Sequence, residues 1–379
     1  MPQVTLGQLS DTRRNNFDFL RFFFASLVIF SHSYLLIAPA GIDDEPLWRL
    51  TGARMNFGTL AVASFFAISG FLITQSWQRA PRLGDFFRKR ALRIYPGWVV
   101  ALLFCVFVFA PLLRPGHGLA LRDVGTYGFL SQLLLRNTGV LRLLPGVGLL
   151  NGSTWTIPFE ILCYFLVAAF GLLGWLRRPP VVAALGVLLL TSLNLPALHL
   201  LPMAWPAFGT HPLPYIGWLW PLPMFATYFL SGMLFFLFRD RIPHSPWLLA
   251  AAALLVGLTL GDLPLGRLFF WIFPTFGLYL LFYLAFLPLG PLYAWAKHGD
   301  FSYGVYLYAY PLQRLLIAGQ AHHFRLSHAT LFLFAWVLAC LAAVLSWRLV
   351  ERPALRLKPR PASPPMEQTG VPAVAAEGA

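Results

Sequence analysis

The sequence predicts an all-helical membrane protein of about ten spans with both termini cytoplasmic, and three observations carry that expectation. Hydrophobic residues make up 58% of the chain and charged residues only 11%, with a mean hydropathy of +0.68, far from the balance of a soluble domain. Apolar runs of about 20 residues recur from end to end, the length an α-helix needs to cross hydrocarbon. Basic residues gather on alternate connections between those runs, which is the positive-inside pattern.

The expected spans lie near 17–38, 57–78, 95–113, 155–176, 181–200, 218–238, 247–262, 267–289, 300–319 and 329–350. The basic clusters are Arg13-Arg14, Arg79 to Arg93, Arg177-Arg178, Arg239 with Arg241, Lys297, and Arg348 to Arg360. All fall on the cytoplasmic side of that arrangement. The outer segments, 39–56, 114–154, 201–217, 263–266 and 320–328, are poorer in basic residues, apart from Arg114, Arg122, Arg136 and Arg142 in the longest. Charge in a long loop constrains topology less. Segment 114–154 is too long for a simple turn and is expected to hold re-entrant or interfacial helices. Segment 201–217 reads as a proline-rich irregular loop. Residues 1–16 form a cytoplasmic N-terminal segment, 17–358 one transmembrane domain, and 359–379 a disordered cytoplasmic tail. The first span lacks a convincing small-residue cleavage site and is expected to be retained.

The net charge of +14 is spread over connections and points to a lipid bilayer, not to nucleic acid. Cys105, Cys163 and Cys340 stand singly in apolar runs and read as packing residues. Without a CxxC or His-x-x-His pair, no metal site is expected.

Ionisable residues inside spans are costly, so each invites a functional reading. Arg21 and His32 are eleven residues apart in the first span, on nearly the same helix face and roughly 16 Å apart along the axis. The plain reading is a snorkelling arginine and a packed histidine. The functional reading makes His32 a general base, since imidazole accepts a proton near neutral pH. It also requires that both side chains line one cavity. Glu160, in Trp155-Thr-Ile-Pro-Phe-Glu160, is expected near the depth of His32, as its acid–base partner or as a buried carboxylate bonded locally.

Arg88-Lys-Arg90-Ala-Leu-Arg93-Ile-Tyr-Pro96 is either topology-setting charge or an anion site; Arg90 and Arg93 are neighbours if helical, and Pro96 is expected to mark the start of the third span. Ser69-Gly70 in the second span serves close helix packing or gives room and a hydrogen bond to a ligand. Tyr303, Tyr306, Tyr308 and Tyr310 read as interfacial aromatics or cavity lining, and Glu351 is expected to pair with the basic cluster.

Together these segments resemble the acyltransferase-3 family of membrane O-acyltransferases. The resemblance rests on Arg21–ten residues–His32, Phe-Phe-x-x-Ser-Gly-Phe-Leu at 65–72, Arg-x-x-Arg-Ile-x-Pro at 90–96, Trp-Thr-x-x-x-Glu at 155–160, Ser-Tyr-x-x-Tyr-Leu at 302–307 and Glu-Arg-Pro at 351–353. It implies transfer of an acyl group, usually acetyl, from cytoplasmic acyl-CoA to a hydroxyl of a cell-surface polysaccharide or its lipid-linked precursor. It implies a bacterial inner-membrane location and polysaccharide-biosynthesis proteins as partners. His32 and Arg21 match the family's essential pair; Arg90 and Arg93 match the motif associated with the donor, with Arg21, Ser69 and Gly70 further along its path. Glu160 would orient His32 or stabilise its protonated form, and His32 would act directly or through an acyl-enzyme. Two departures stand out. Ala309 and Tyr310 occupy positions where many members carry a histidine before the proline, and the extra esterase-like domain that some members carry is not expected here. A different acyl donor or a non-glycan acceptor keeps the same chemistry; a proton-coupled transporter or flippase would use the same intramembrane charges differently, but no two-half repeat is visible.

Overall fold

The computed structural model describes residues 4–11, 14–113, 150–194, 222–261, 263–323 and 326–358. Among these, regular structure is helical, with an isolated antiparallel bridge between Thr5 and Pro243. In chain order the principal helices are α1 (Phe17–Ile37), α2 (Phe57–Arg79), α3 (Leu83–Leu113, with a π turn at Cys105–Phe109) and α4 (Ile157–Leu172, opened by a 3-10 turn at Gly152–Thr156). They continue with α5 (Pro179–Asn194), α6 (Leu222–Leu237), α7 (Pro246–Gly257), α8 (Leu265–Phe286), α9 (Ser302–His323) and α10 (His328–Leu355).

A helix therefore sits at each expected span. Six of them, α1, α2, α3, α4 with its opening turn, α8 and α10, are long and apolar enough to cross a membrane. The apolar stretches of α5, α6 and α7 are shorter, and α9 carries Gln313 and Arg314 midway along its length. The expected re-entrant helices of 114–154 fall mostly outside the described residues, as do the 201–217 loop and the tail beyond Lys358.

Local chemistry explains where the helices start. Asn56 caps α2 by accepting from the Thr59 amide at 2.7 Å, while buried Glu45 accepts from the Phe57 amide at 3.0 Å. Burial raises the Glu45 carboxyl above its usual range, and bonds from Ser31 and the Phe57 amide oppose that. Ser245 caps α7, and Ser327 with Thr330 forms a capping box on α10. One boundary differs from the sequence reading. Pro96 lies inside α3, which begins at Leu83, so the basic run Arg88–Arg93 is helical and Pro96 does not mark the start of the helix. A helical proline forfeits one backbone bond, and the neighbouring turns carry the helix past it.

The helices pack through small residues and aromatic rings. α2 and α6 cross at Gly70 and Gly232, where a Cβ on either would overlap a backbone carbonyl of the partner helix, that of Phe229 or Ala67. Phe17, Phe71, Phe282 and Phe286 interlock at the first turn of α1. Large apolar side chains also face outward, among them Phe107, Leu188, Leu254, Leu341 and Leu349. Such a surface suits hydrocarbon, and the protein is an all-helical, multi-pass membrane protein.

Candidate active site

Three helices and one turn bring charge together at the N-terminal end of α1. Asp300 precedes α9 and ties them. Its Oδ2 accepts from Arg21 Nη1 at 3.0 Å and pairs with Arg93 Nη2 of α3; its Oδ1 accepts from the Ser302 amide at 3.3 Å and from Ser302 Oγ. Gly299 makes the turn possible: its φ is +115°, and a Cβ there would overlap the Trp347 indole. Arg93 also lies 5.8 Å from the Tyr303 ring centre, and Tyr303 Oη donates to the Ile94 carbonyl at 2.9 Å.

Arg90, one turn from Arg93, faces the same space. Its Nη2 donates to Ser76 Oγ at 2.7 Å, its guanidinium stacks over Phe86, and its Nε is buried without a partner. Beyond it, Glu160 Oε1 accepts from Tyr164 Oη at 2.5 Å and from Ser69 Oγ at 3.2 Å.

These groups surround one cavity of about 340 Å³. Its lining includes Arg21, Arg90, Arg93 and Lys358 against the carboxyls of Glu160 and Asp300. Cations outnumber acids in a partly enclosed space, which favours an anionic guest. Partial burial, aided by Arg93, Arg90 and Lys89, pushes the Lys358 ammonium down to about 8. Away from the cations the walls become apolar, with Val62, Phe65, Phe66 and Ile157, and end at Thr156 and Tyr306. Thr156 Oγ1 is 2.7 Å from Tyr306 Oη, which donates to the Ser153 carbonyl at 2.5 Å.

Of the residues singled out in the sequence, Arg21, Arg90, Arg93, Ser69 and Glu160 line this cavity, and His32 and Gly70 do not. Gly70 is taken up by the crossing with α6 and packs helices without opening room for a ligand. His32 sits edge-on to Tyr310 at 5.3 Å between ring centres, with its Nδ1 buried and without a partner. Arg21 and His32 thus do not share the space that the sequence reading required. Nor does Glu160 reach His32. α1 and α9 run in the same direction, since Arg21 meets Asp300 and Ile29 meets Gln313. Thr156 lies level with Tyr306; Glu160 is a turn nearer the cations and His32 a turn the other way, beside Tyr310. The axial gap is roughly 11 Å. The cause is Asn151: it is 1% exposed and donates to the Leu307 carbonyl at 2.9 Å, so α4 starts deep within the protein. Glu351 accepts from Ser346 Oγ at 2.9 Å and packs beside Gly97.

Sequence reasoning missed Asp300, Tyr164, Thr156, Ser76 and Lys358 as parts of the site. Asp300 left a signal, as an acid beside a span entry on a side rich in arginine. The others are common residue types whose role comes only from packing.

The sequence profile of the acyltransferase domain family matches residues 14–350. An O-acetyl transferase of Shigella phage Sf6 is 27% identical over 351 residues, covering 90% of this chain and 96% of the relative. Nodulation protein 10 of Rhizobium leguminosarum bv. viciae is 27% identical over 379 residues, covering 92% and 95%. No solved structure matches the chain. The profile spans α1 to α9 and most of α10, and with them all of the cavity lining except Leu355 and Lys358. On that match the chain belongs to the acyltransferase-3 family and is a membrane acyltransferase.

Proposed function

We propose that this protein moves an acetyl group from cytoplasmic acetyl-CoA to a hydroxyl of a cell-surface or exported polysaccharide, or of its lipid-linked precursor, in the bacterial inner membrane. In this reading ten helices cross the bilayer, both termini are cytoplasmic, and the cation-rich end of the cavity opens to the cytosol.

The observation that carries the reading is the cavity itself: four cations against two carboxyls at one end, apolar walls and hydroxyls at the other. Arginine forks suit phosphate oxygens, and the unpartnered Nε of Arg90 leaves a donor for one. Arg90, Arg93 and Lys358 hold the phosphates of the donor. Arg21 is held by Asp300 beside the path of its arm. Bound acetyl-CoA supplies a thioester carbon open to attack by a hydroxyl. His32 takes the proton of the acceptor hydroxyl as the new ester bond forms, and the CoA thiolate leaves. Glu160 anchors Ser69 and Tyr164 along the donor's path and does not serve as partner to His32. The name of the Sf6 relative supports the O-acetyl assignment.

The test is acetyl incorporation into surface glycan by cells carrying the wild type or His32→Ala at equal membrane abundance. The variant should lose about 10²–10⁴-fold, the range for removal of a general base. Equal acetylation would take the role from His32.

A further inference from the structure

The closed end of the cavity lies one helical turn short of His32, and two helices, α9 and α2, place it there independently. On α9, Tyr306 lines the cavity whereas Tyr310, four residues on, touches His32. On α2, Val62 is the outermost lining residue whereas Gly58, four residues before it, packs on Ser31. On α1, only Arg21 lines the cavity, and Phe24 packs on Phe65 from behind. Four residues of helix are about 6 Å, so the barrier is one side-chain layer thick.

That layer consists of Phe65, Tyr306 and Thr156. The Phe65 and Tyr306 rings meet edge to face at 6.0 Å. Two hydrogen bonds fix Tyr306: it donates to the Ser153 carbonyl, so Thr156 donates to it. Phe65 carries no such anchor, being held by ring contacts to Phe24 and Tyr306. The layer thus has one fixed wall and one that can turn.

We infer that Phe65 and Tyr306 form a size filter between the donor cavity and His32, admitting an acetyl group and holding back longer acyl chains. The inference rests on the donor reading above. Selection here acts on transfer and not on donor binding, because the cations that hold the donor lie at the other end of the cavity. Phe65 and Tyr306 are specificity-determining residues and take no part in bond making.

The experiment uses membranes carrying the full chain and the host's own glycan, supplied with radiolabelled acetyl-CoA or butyryl-CoA. Label in glycan reports transfer, and label retained by the purified protein reports binding. Wild type should transfer acetyl in preference to butyryl while binding both donors comparably. In Phe65→Ala the butyryl-to-acetyl transfer ratio should rise about tenfold or more, within the range that pocket size alone discriminates, with binding unchanged. Tyr306→Phe keeps the ring and loses its anchor, and should raise the ratio by less. Phe65→Leu, a milder truncation, serves if the alanine variant is poorly inserted. A ratio unmoved in variants that bind acetyl-CoA like wild type would overturn the filter and leave the donor reading standing. Failure of the wild type itself to bind acetyl-CoA would overturn the donor reading and the filter with it.

Discussion

The two ends of the α1–α9 seam handle polarity differently. At one end Arg21, Arg93 and Asp300 form an ion network, completed by Ser302. At the other, Gln313 reaches from α9 to the Ile29 carbonyl and to Ser33 Oγ, each at 2.9 Å, beside a histidine whose Nδ1 has no partner. Charge is therefore concentrated where three helices converge and a turn can supply a counter-ion. Near His32 the seam itself is joined by neutral bonds through Gln313, while Glu45 reaches Ser31 and Arg314 acts on Tyr310 from beside it. An ion network on one side and neutral bonds between the two helices on the other suit a site that must hold an anion apart from a base.

The largest break in that comparison should come from Asp300→Asn. Removing the carboxylate takes away the acid that the two guanidiniums share, leaving Asp18 and Glu351 as the nearby acids. Loss of one partner from a buried pair costs about 3–5 kcal/mol, and side-chain exposures of 14–26% here argue for the low end, roughly 3 kcal/mol. Thermal unfolding in detergent should show it; a melting point equal to wild type would mean that the arginines do not depend on this acid. Of comparable size is Arg90→Ala with Arg93→Ala. Charged hydrogen bonds to a phosphate contribute about 1.5–3 kcal/mol each, so acetyl-CoA affinity should fall roughly hundredfold or more. Insertion should survive, because Arg88 and Lys89 still mark the basic side. Unchanged affinity would remove both residues from the donor site.

The sequence carried the charged end well and the neutral end poorly, for a physical reason. Intramembrane charges are rare and expensive, so Arg21 and Glu160 announce themselves, as Arg90 and Arg93 do by standing in a dense basic run; all four line the cavity. Helix positions follow from the length of apolar runs, which is why a helix stands at every expected span. Depth is another matter. Glu160 was expected beside His32 because a span was taken to start at the membrane surface, and no pattern in Asn151-Gly-Ser-Thr reveals that Asn151 seeks the Leu307 carbonyl inside the protein. Gly70 looked equally suited to ligand or helix, and only the approach of Phe229 decides it. Tyr306 is one tyrosine among several, made distinctive by two hydrogen bonds to a segment far away in sequence.

A substitution at the neutral end sharpens the contrast. Gln313→Leu removes two neutral hydrogen bonds and leaves a single carbonyl, which Ser33 Oγ already serves at 2.9 Å. The expected cost is about 1 kcal/mol, a third of that at Asp300, read in the same unfolding experiment. A loss as large as that of Asp300→Asn would mean that the two ends bear equal weight and the comparison is wrong.

The smallest effect is a pH dependence. With its ammonium pushed down to about 8, Lys358 is mostly charged at pH 7 and mostly neutral at pH 9. Only the charged form attracts phosphate, so donor affinity should weaken as pH rises through 8, and the donor, when bound, should shift that midpoint upward. An exposed charge of this kind is worth up to about 1 kcal/mol, so the change should be roughly threefold. Lys358→Arg, which stays charged throughout, should flatten the profile between pH 7 and 9 while keeping the affinity of the low-pH arm. If the arginine variant titrates like wild type, the pH dependence belongs to another group, and the charged end holds its donor with arginine alone.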